Sequence, residues 1–202
     1  MFADLGYAIA ALGYFALLLL LFTGRKSGIA KYLLIAATLT TCLWAVSNIS
    51  LLGWQTHISH FFTADALRQW IWMLFLAACL RSDFSSFKEI ILRPTSLSLL
   101  VLPTVAVIAG ASSALPYLWQ YSLHTLIALQ MLIVLELVYR QSGEQKWAYK
   151  PLVLFLGALS LFDFVTYANA TMINQIGENY VYARGYIYVA LLPFLILAIR
   201  RI

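Results

Sequence analysis

The sequence predicts an all-α integral membrane protein: a bundle of seven transmembrane helices, N-terminus outside and C-terminus in the cytoplasm. Three observations predict it. The chain is 63% hydrophobic and 10% charged, against roughly 25% charged in a soluble domain. Seven apolar stretches cover nearly all of its 202 residues, and in lipid such stretches must become helices, because every backbone group needs an internal partner. The charges are also sorted. With the N-terminus outside, the inner loops hold Arg25, Lys26, Lys31, Arg81, Lys88, Arg93, Arg140, Lys146, Lys150, Arg200 and Arg201, eleven of the 13 Lys and Arg, and only Arg68 and Arg184 fall outside. That bias is the positive-inside rule. It orients the bundle in the bilayer, its first partner, and it leaves no basic face for nucleic acid.

The expected spans are 5–23, 32–54, 66–80, 97–111, 117–139, 151–173 and 185–199, within one domain, 1–202. About 20 apolar residues cross a bilayer core of roughly 30 Å, so the third, fourth and seventh are short. The first span has its basic residues, Arg25 and Lys26, after the apolar run. A signal peptide has them before it, so this is a retained helix. A short glycine-flanked loop, 24–31, makes spans one and two antiparallel neighbours. Outer loop 55–65 carries His57, His60 and Asp65. In inner loop 81–96, Phe84, Phe87, Ile90, Ile91 and Leu92 alternate with Asp83, Lys88, Glu89 and Arg93. The pattern suits a short amphipathic helix at the interface, ended by Pro94. Trp54, Trp119, Tyr139, Trp147 and Tyr180 sit at span ends, where aromatic belts form. Outer loop 174–184 carries Glu178, Tyr180, Tyr182 and Arg184.

A charge inside a bilayer is costly and marks a functional site by default. Asp163 is the strongest such anomaly, near the middle of span six; it either contacts a proton or ligand or pins two helices together. Arg68, one turn inside span three, either snorkels outward or reaches a carboxylate. Gln120 and His124 lie four apart on one face of span five, where they serve a site or interhelical hydrogen bonding. Trp44, Asn48, Tyr167, Asn169 and Tyr188 bring aromatic and amide groups to the outer half, as packing or as the lining of a small-molecule pocket. Glu136 and Arg140 form an i, i+4 pair of structural kind. His57, His60 and Asp65 make an HxxH-x4-D pattern, a weak metal signal without Cys or further His, and no metal or other cofactor is expected. Cys42 and Cys79 read as small core hydrophobes. No HExxH, GxSxG or P-loop occurs. No lysine lies in a span, which excludes a retinal Schiff base. A single deep carboxylate is thin for an ion-coupled transporter.

The last third carries Trp147, Lys150-Pro151-Leu152, Gly157, Asp163-Phe164, Tyr167-Ala168, Ala170, Ala183-Arg184-Gly185, Pro193 and Arg200-Arg201. Gly28, Trp44, Leu67-Arg68, Trp70, Trp72, Phe75-Leu76, Glu136 and Tyr139-Arg140 agree more loosely. On these residues the chain resembles the membrane region of the PrsK family, sensor histidine kinases of the PEP-CTERM/exosortase system of Gram-negative bacteria. The resemblance is dense in 147–201. It departs after Ala170, where the family has a leucine-rich basic stretch and 171–179 here is polar, with Glu178 its one charge.

The resemblance implies a sensor input domain in a bacterial inner membrane, not itself an enzyme, followed in the full protein by a GAF-like domain and a kinase core, acting as a homodimer with a cognate response regulator. His57, His60 and His124 lie outside or in the membrane, so none is the phospho-acceptor. On this reading Asp163, Tyr167, His124, Arg68, Gln120, Trp44 and Asn48 line a site for an unknown small-molecule or membrane signal. Arg184, Pro193 and Arg200 relay it along the seventh helix to 199–202. A small transporter or channel is the alternative, and a purely structural anchor a third possibility.

Overall fold

The computed structural model describes residues 2–24, 28–53, 58–80 and 86–201. Its helices are α1 (Phe2–Thr23), α2 (Ile29–Ser47), α3 (Ile58–Cys79), α4 (Phe87–Leu92), α5 (Pro94–Ser112), α6 (Tyr117–Gln141), α7 (Lys146–Ile173) and α8 (Glu178–Arg201), with 3-10 turns at Ser50–Leu52 and Gly143–Gln145. No strand occurs among the described residues.

Six segments are long and apolar enough to cross a membrane: Asp4–Thr23, Ile29–Ser47, Pro94–Ser112, Tyr117–Gln141, Gly143–Ile173 and Glu178–Arg201. The chain is a multi-pass membrane helical bundle. The sequence count of seven included α3. That helix has the length, 22 residues, but Asp65, Arg68 and Gln69 dilute its apolar character. It is instead the most enclosed helix, with 14 of those residues buried.

Successive long helices pack side by side, α1 to α2, α2 to α3, α3 to α5, α5 to α6, α6 to α7 and α7 to α8, and α8 returns against α1. The ring closes, and α3 also reaches across it to α6. Two crossings depend on glycine. A Cβ on Gly185 would lie 2.8 Å from backbone atoms of Gly6 and Tyr7, so α1 and α8 touch backbone to backbone. A Cβ on Gly110 would lie 2.9 Å from the Thr63 nitrogen, where α5 crosses α3. Tyrosine hydroxyls bind α1 further to α8: Tyr7 donates to the Val181 carbonyl at 2.7 Å and Tyr14 to that of Tyr188 at 3.2 Å. The Asp4 carboxylate accepts from the Ser50 amide and hydroxyl, both at 2.7 Å, and so ties the start of α1 to the turn after α2.

Several element ends differ from expectation. α3 and α8 begin seven or eight residues before the predicted spans, because Asp65 and Arg184 are helix residues and not loop residues. The short helix expected within 81–96 exists as α4, with Ile90 buried and Phe87 and Leu92 exposed. Pro94 breaks it and also opens α5, its fixed φ suiting a first helical turn. Lys31 and Lys146 fall in first helical turns, and Lys150 in the second turn of α7. Trp119 and Trp147 are exposed at the starts of α6 and α7, as aromatic anchors are. Cys42 and Cys79 are free and buried. Arg25, Lys26, Trp54, His57, Arg81, Asp83, Phe84 and Ile202 lie outside the described residues.

Candidate functional site

Helical periodicity assembles one polar cluster. On α3, Asp65, Arg68, Gln69 and Trp72 are spaced i, i+3, i+4 and i+7, so they share a face. On α7, Asp163 and Tyr167 are one turn apart, and on α8 so are Arg184 and Tyr188. α2 contributes Trp44 and α6 contributes His124. All are buried, none more than 3% exposed.

Asp65 and Asp163 organise the cluster. Asp65 accepts from the Trp44 indole N–H on one oxygen. On the other it accepts from the Tyr167 hydroxyl and from Arg184 Nη2 at 2.5 Å. The same Arg184 nitrogen donates to Asp163 at 2.8 Å. Arg68 Nη2 donates to the second Asp163 oxygen, also at 2.8 Å, and lies 3.9 Å from Asp65. Every carboxylate oxygen is engaged. Two Arg and two Asp sum to zero charge, which is how a low-dielectric interior tolerates ions.

Aromatic rings enclose the ions. Both guanidinium carbons lie 5.0 Å from the Trp44 ring centroid. Tyr188 lies 5.2 Å from that of Arg68, and Tyr167 5.7 Å from that of Arg184. Such contacts stabilise a desolvated cation. Trp44 packs on Tyr188 at 4.4 Å, and His124 stacks on Tyr167 at 4.7 Å with its Nδ1 3.0 Å from Gln69 Oε1.

The depth follows from helix rise. Asp65 lies seven residues from the start of α3, Arg184 six from the start of α8, and Asp163 ten from the end of α7. At about 1.5 Å per residue these are roughly 9–15 Å from ends that lie on one side of the bundle.

Five polar atoms in this cluster are buried without a hydrogen-bond partner: Arg68 Nε, Arg184 Nε and Nη1, Gln69 Nε2 and the Tyr188 hydroxyl. Four are N–H donors and the fifth can donate. An unmade hydrogen bond in such surroundings costs about 1–3 kcal/mol, more for a charged group.

Asp163, Arg68, Trp44 and Tyr167, expected to line a site, are brought together, with His124 at the edge. Arg68 reaches inward and does not snorkel. Gln120 is buried, but its amide nitrogen donates to the Leu115 carbonyl at 3.0 Å, across the start of its own helix. Asn48 caps α2 through a 2.8 Å bond to the Trp44 carbonyl. Neither is bonded to the ions: short-range backbone carbonyls take the amide nitrogens of both, and Gln120 Oε1 is buried without a partner. Arg184 was expected on the outer loop and lies in the centre of the cluster. Pro193 is exposed within α8, and Arg200 is exposed in its last turn. Asp65 ends the HxxH-x4-D pattern as a metal reading, because its oxygens face Trp44, Tyr167 and Arg184. It is also a second deep carboxylate where one was expected. Sequence reasoning missed it and Gln69. The signal was their register with Arg68 and Trp72.

No protein-family model matches the chain, and neither a curated protein nor a solved structure matches it.

Proposed function

We propose that the chain is the signal-input domain of a membrane histidine kinase. α3 crosses the bilayer as a seventh span, the N-terminus lies outside, and α8 leads into the cytoplasm of a bacterial inner membrane. The observation that carries this reading is the position of Arg184. It sits on the last helix, and its Nη2 is shared between carboxylates of α3 and α7. A signal that favours a different set of these bonds moves α8 relative to both, and a ligand shifts such an equilibrium by its differential affinity for the two arrangements. The charge sorting supports the orientation. The two cations that broke the positive-inside pattern, Arg68 and Arg184, are core residues and do not belong to an outer surface.

The resemblance to PrsK-type kinases supplies the partners of the proposal: a second copy of the chain, a kinase core and a response regulator. The test is to join the chain through its last helix to a histidine kinase core and measure autophosphorylation in membranes. Asp163→Asn should change the output at equal expression; an unchanged output removes the proposal.

One observation favours the transporter alternative, the second deep carboxylate. Against it, all four carboxylate oxygens are held by donors, so neither Asp is poised to release a charge. Proton or solute flux in liposomes, lost in Asp65→Asn, would establish transport.

A further inference from the structure

Five cations gather where α6 ends, α7 begins and α8 ends: Arg140, Lys146, Lys150, Arg200 and Arg201, all exposed. Two carboxylates share the region, Glu136 and Glu144, and Arg140 takes Glu136 at 2.7 Å. Among the described residues the other four cations have no carboxylate partner. Charge sorting accounts for their sharing one end of the bundle. It does not account for their arrangement around Trp147. Lys150 Nζ lies 5.2 Å from the Trp147 ring centroid, and Arg201 Nη1 donates to the Trp147 carbonyl at 3.0 Å. One residue thus draws a cation of α7 and a cation of α8 to the same place. Long side chains lose rotamer freedom when they bind, and contacts that hold them beforehand reduce that loss.

The same surface turns apolar within two turns. Trp147, Lys150 and Leu154 follow i, i+3 and i+7 on α7. Phe194, Leu197 and Arg201 follow i, i+3 and i+7 on α8. Each helix therefore carries its cation and its apolar residues on one face. All six side chains are exposed, on neighbouring segments long and apolar enough to cross a membrane. A molecule that complements both parts of this surface is an amphiphile with an anionic head, and basic clusters at the ends of membrane helices recognise such heads. An acidic peptide or an inorganic anion would meet the cations and leave the apolar part uncovered.

We propose that the start of α7 and the end of α8 form a binding site for an anionic phospholipid. Its phosphate sits between Lys150 and Arg201, its interfacial region lies beside Trp147, and its acyl chains run along Leu154, Leu197 and Phe194. The proposal goes beyond the input-domain reading and does not depend on it, since a transporter with the same surface would hold the same lipid.

The test is native mass spectrometry of the whole chain, released from neutral-detergent micelles that contain phosphatidylglycerol and phosphatidylcholine with the same acyl chains in equal amount. Each basic residue near a headgroup is worth a factor of about five in binding, so bound phosphatidylglycerol should exceed phosphatidylcholine about tenfold or more. Lys150→Gln and Arg201→Gln should each lower that ratio about fivefold. Lys88→Gln removes the same charge from an exposed site on α4, which packs on α3 and α5, and should change the ratio less than about twofold. Inorganic phosphate at the lipid concentration should displace nothing. The ratio in the native chain needs no variant, so a poorly folded variant does not shield the proposal. Equal binding of the two lipids overturns it. So does a ratio that Lys88→Gln lowers as much as Lys150→Gln, which would make the attraction a diffuse property of the rim. Displacement by inorganic phosphate would reduce the site to one for a free anion, and a lipid-free dimer would assign the surface to a second copy; either result overturns the lipid.

Discussion

Asp65→Asn tests the ionic core most directly. The carboxylate accepts from three donors, Trp44, Tyr167 and Arg184. An amide keeps one oxygen and turns the other into a donor aimed at donors. Two charge-assisted bonds at about 1.5–3 kcal/mol each give roughly 3–6 kcal/mol. Breaking a buried ion pair from one side costs about 3–5 kcal/mol by an independent route. About 4 kcal/mol is therefore expected, near a thousandfold in the folding equilibrium. Arg184→Gln should cost about the same, since it removes the charged donor that both carboxylates share. The double variant restores neutrality, so its cost should fall below the sum of the singles by about 2–3 kcal/mol, the range seen for residues in one network. Reversible unfolding in mixed micelles, followed by circular dichroism, measures all three. An Asp65→Asn cost under about 1 kcal/mol, or singles that add to within about 0.5 kcal/mol, would refute the reasoning: Asp65 would then be solvated or bonded elsewhere.

Gly185→Ala should destabilise by about 1–3 kcal/mol in the same unfolding assay, because its methyl meets the backbone of α1 at 2.8 Å. Gly157→Ala in α7, with nothing within 4 Å of the added Cβ, should stabilise by about 0.5–1 kcal/mol through helix propensity. The Glu136–Arg140 pair, 60% and 74% exposed, should yield under about 0.5 kcal/mol for Glu136→Gln, since exposed pairs contribute little. Cys42 and Cys79, both buried, should resist a membrane-impermeant maleimide in intact membranes and react after denaturation; prompt labelling would contradict the packing of α2 and α3.

Much of the fold was legible because lipid leaves few options. An apolar run long enough to span must be a helix, so α1, α2, α5, α6 and α7 followed from composition alone, and Pro94 marked the break between α4 and α5. The starts of α3 and α8 were not legible. Asp65 and Arg184 look like loop residues in their own neighbourhoods. They enter helices because each cancels the other across a separation of 119 residues, and no local window contains that pairing. Asp163 was legible as an anomaly because apolar sequence surrounds it on both sides, and Arg68 because it falls inside a predicted span. Their partnership was open, since an arginine near a helix end has the option of snorkelling. Gln120 and Asn48 misled for the opposite reason: polar residues inside apolar stretches, they donate their amide N–H to backbone carbonyls within five residues.

The charge balance of the core also bears on why these residues are charged at all. An uncharged hydrogen-bonded set would hold α3, α7 and α8 together at lower desolvation cost, and replacing a buried ion pair by apolar packing is often neutral or stabilising. Stability alone is then a weak reason for two arginines and two aspartates in a membrane interior. What an ionic core adds is steepness. Any guest that draws one guanidinium away from a carboxylate leaves both partners in low dielectric, where each changes the energy by several kcal/mol. Gly185, directly beside Arg184, lets α8 lie against α1 without an intervening side chain, which brings the ionic core of α3, α7 and α8 close to the first helix.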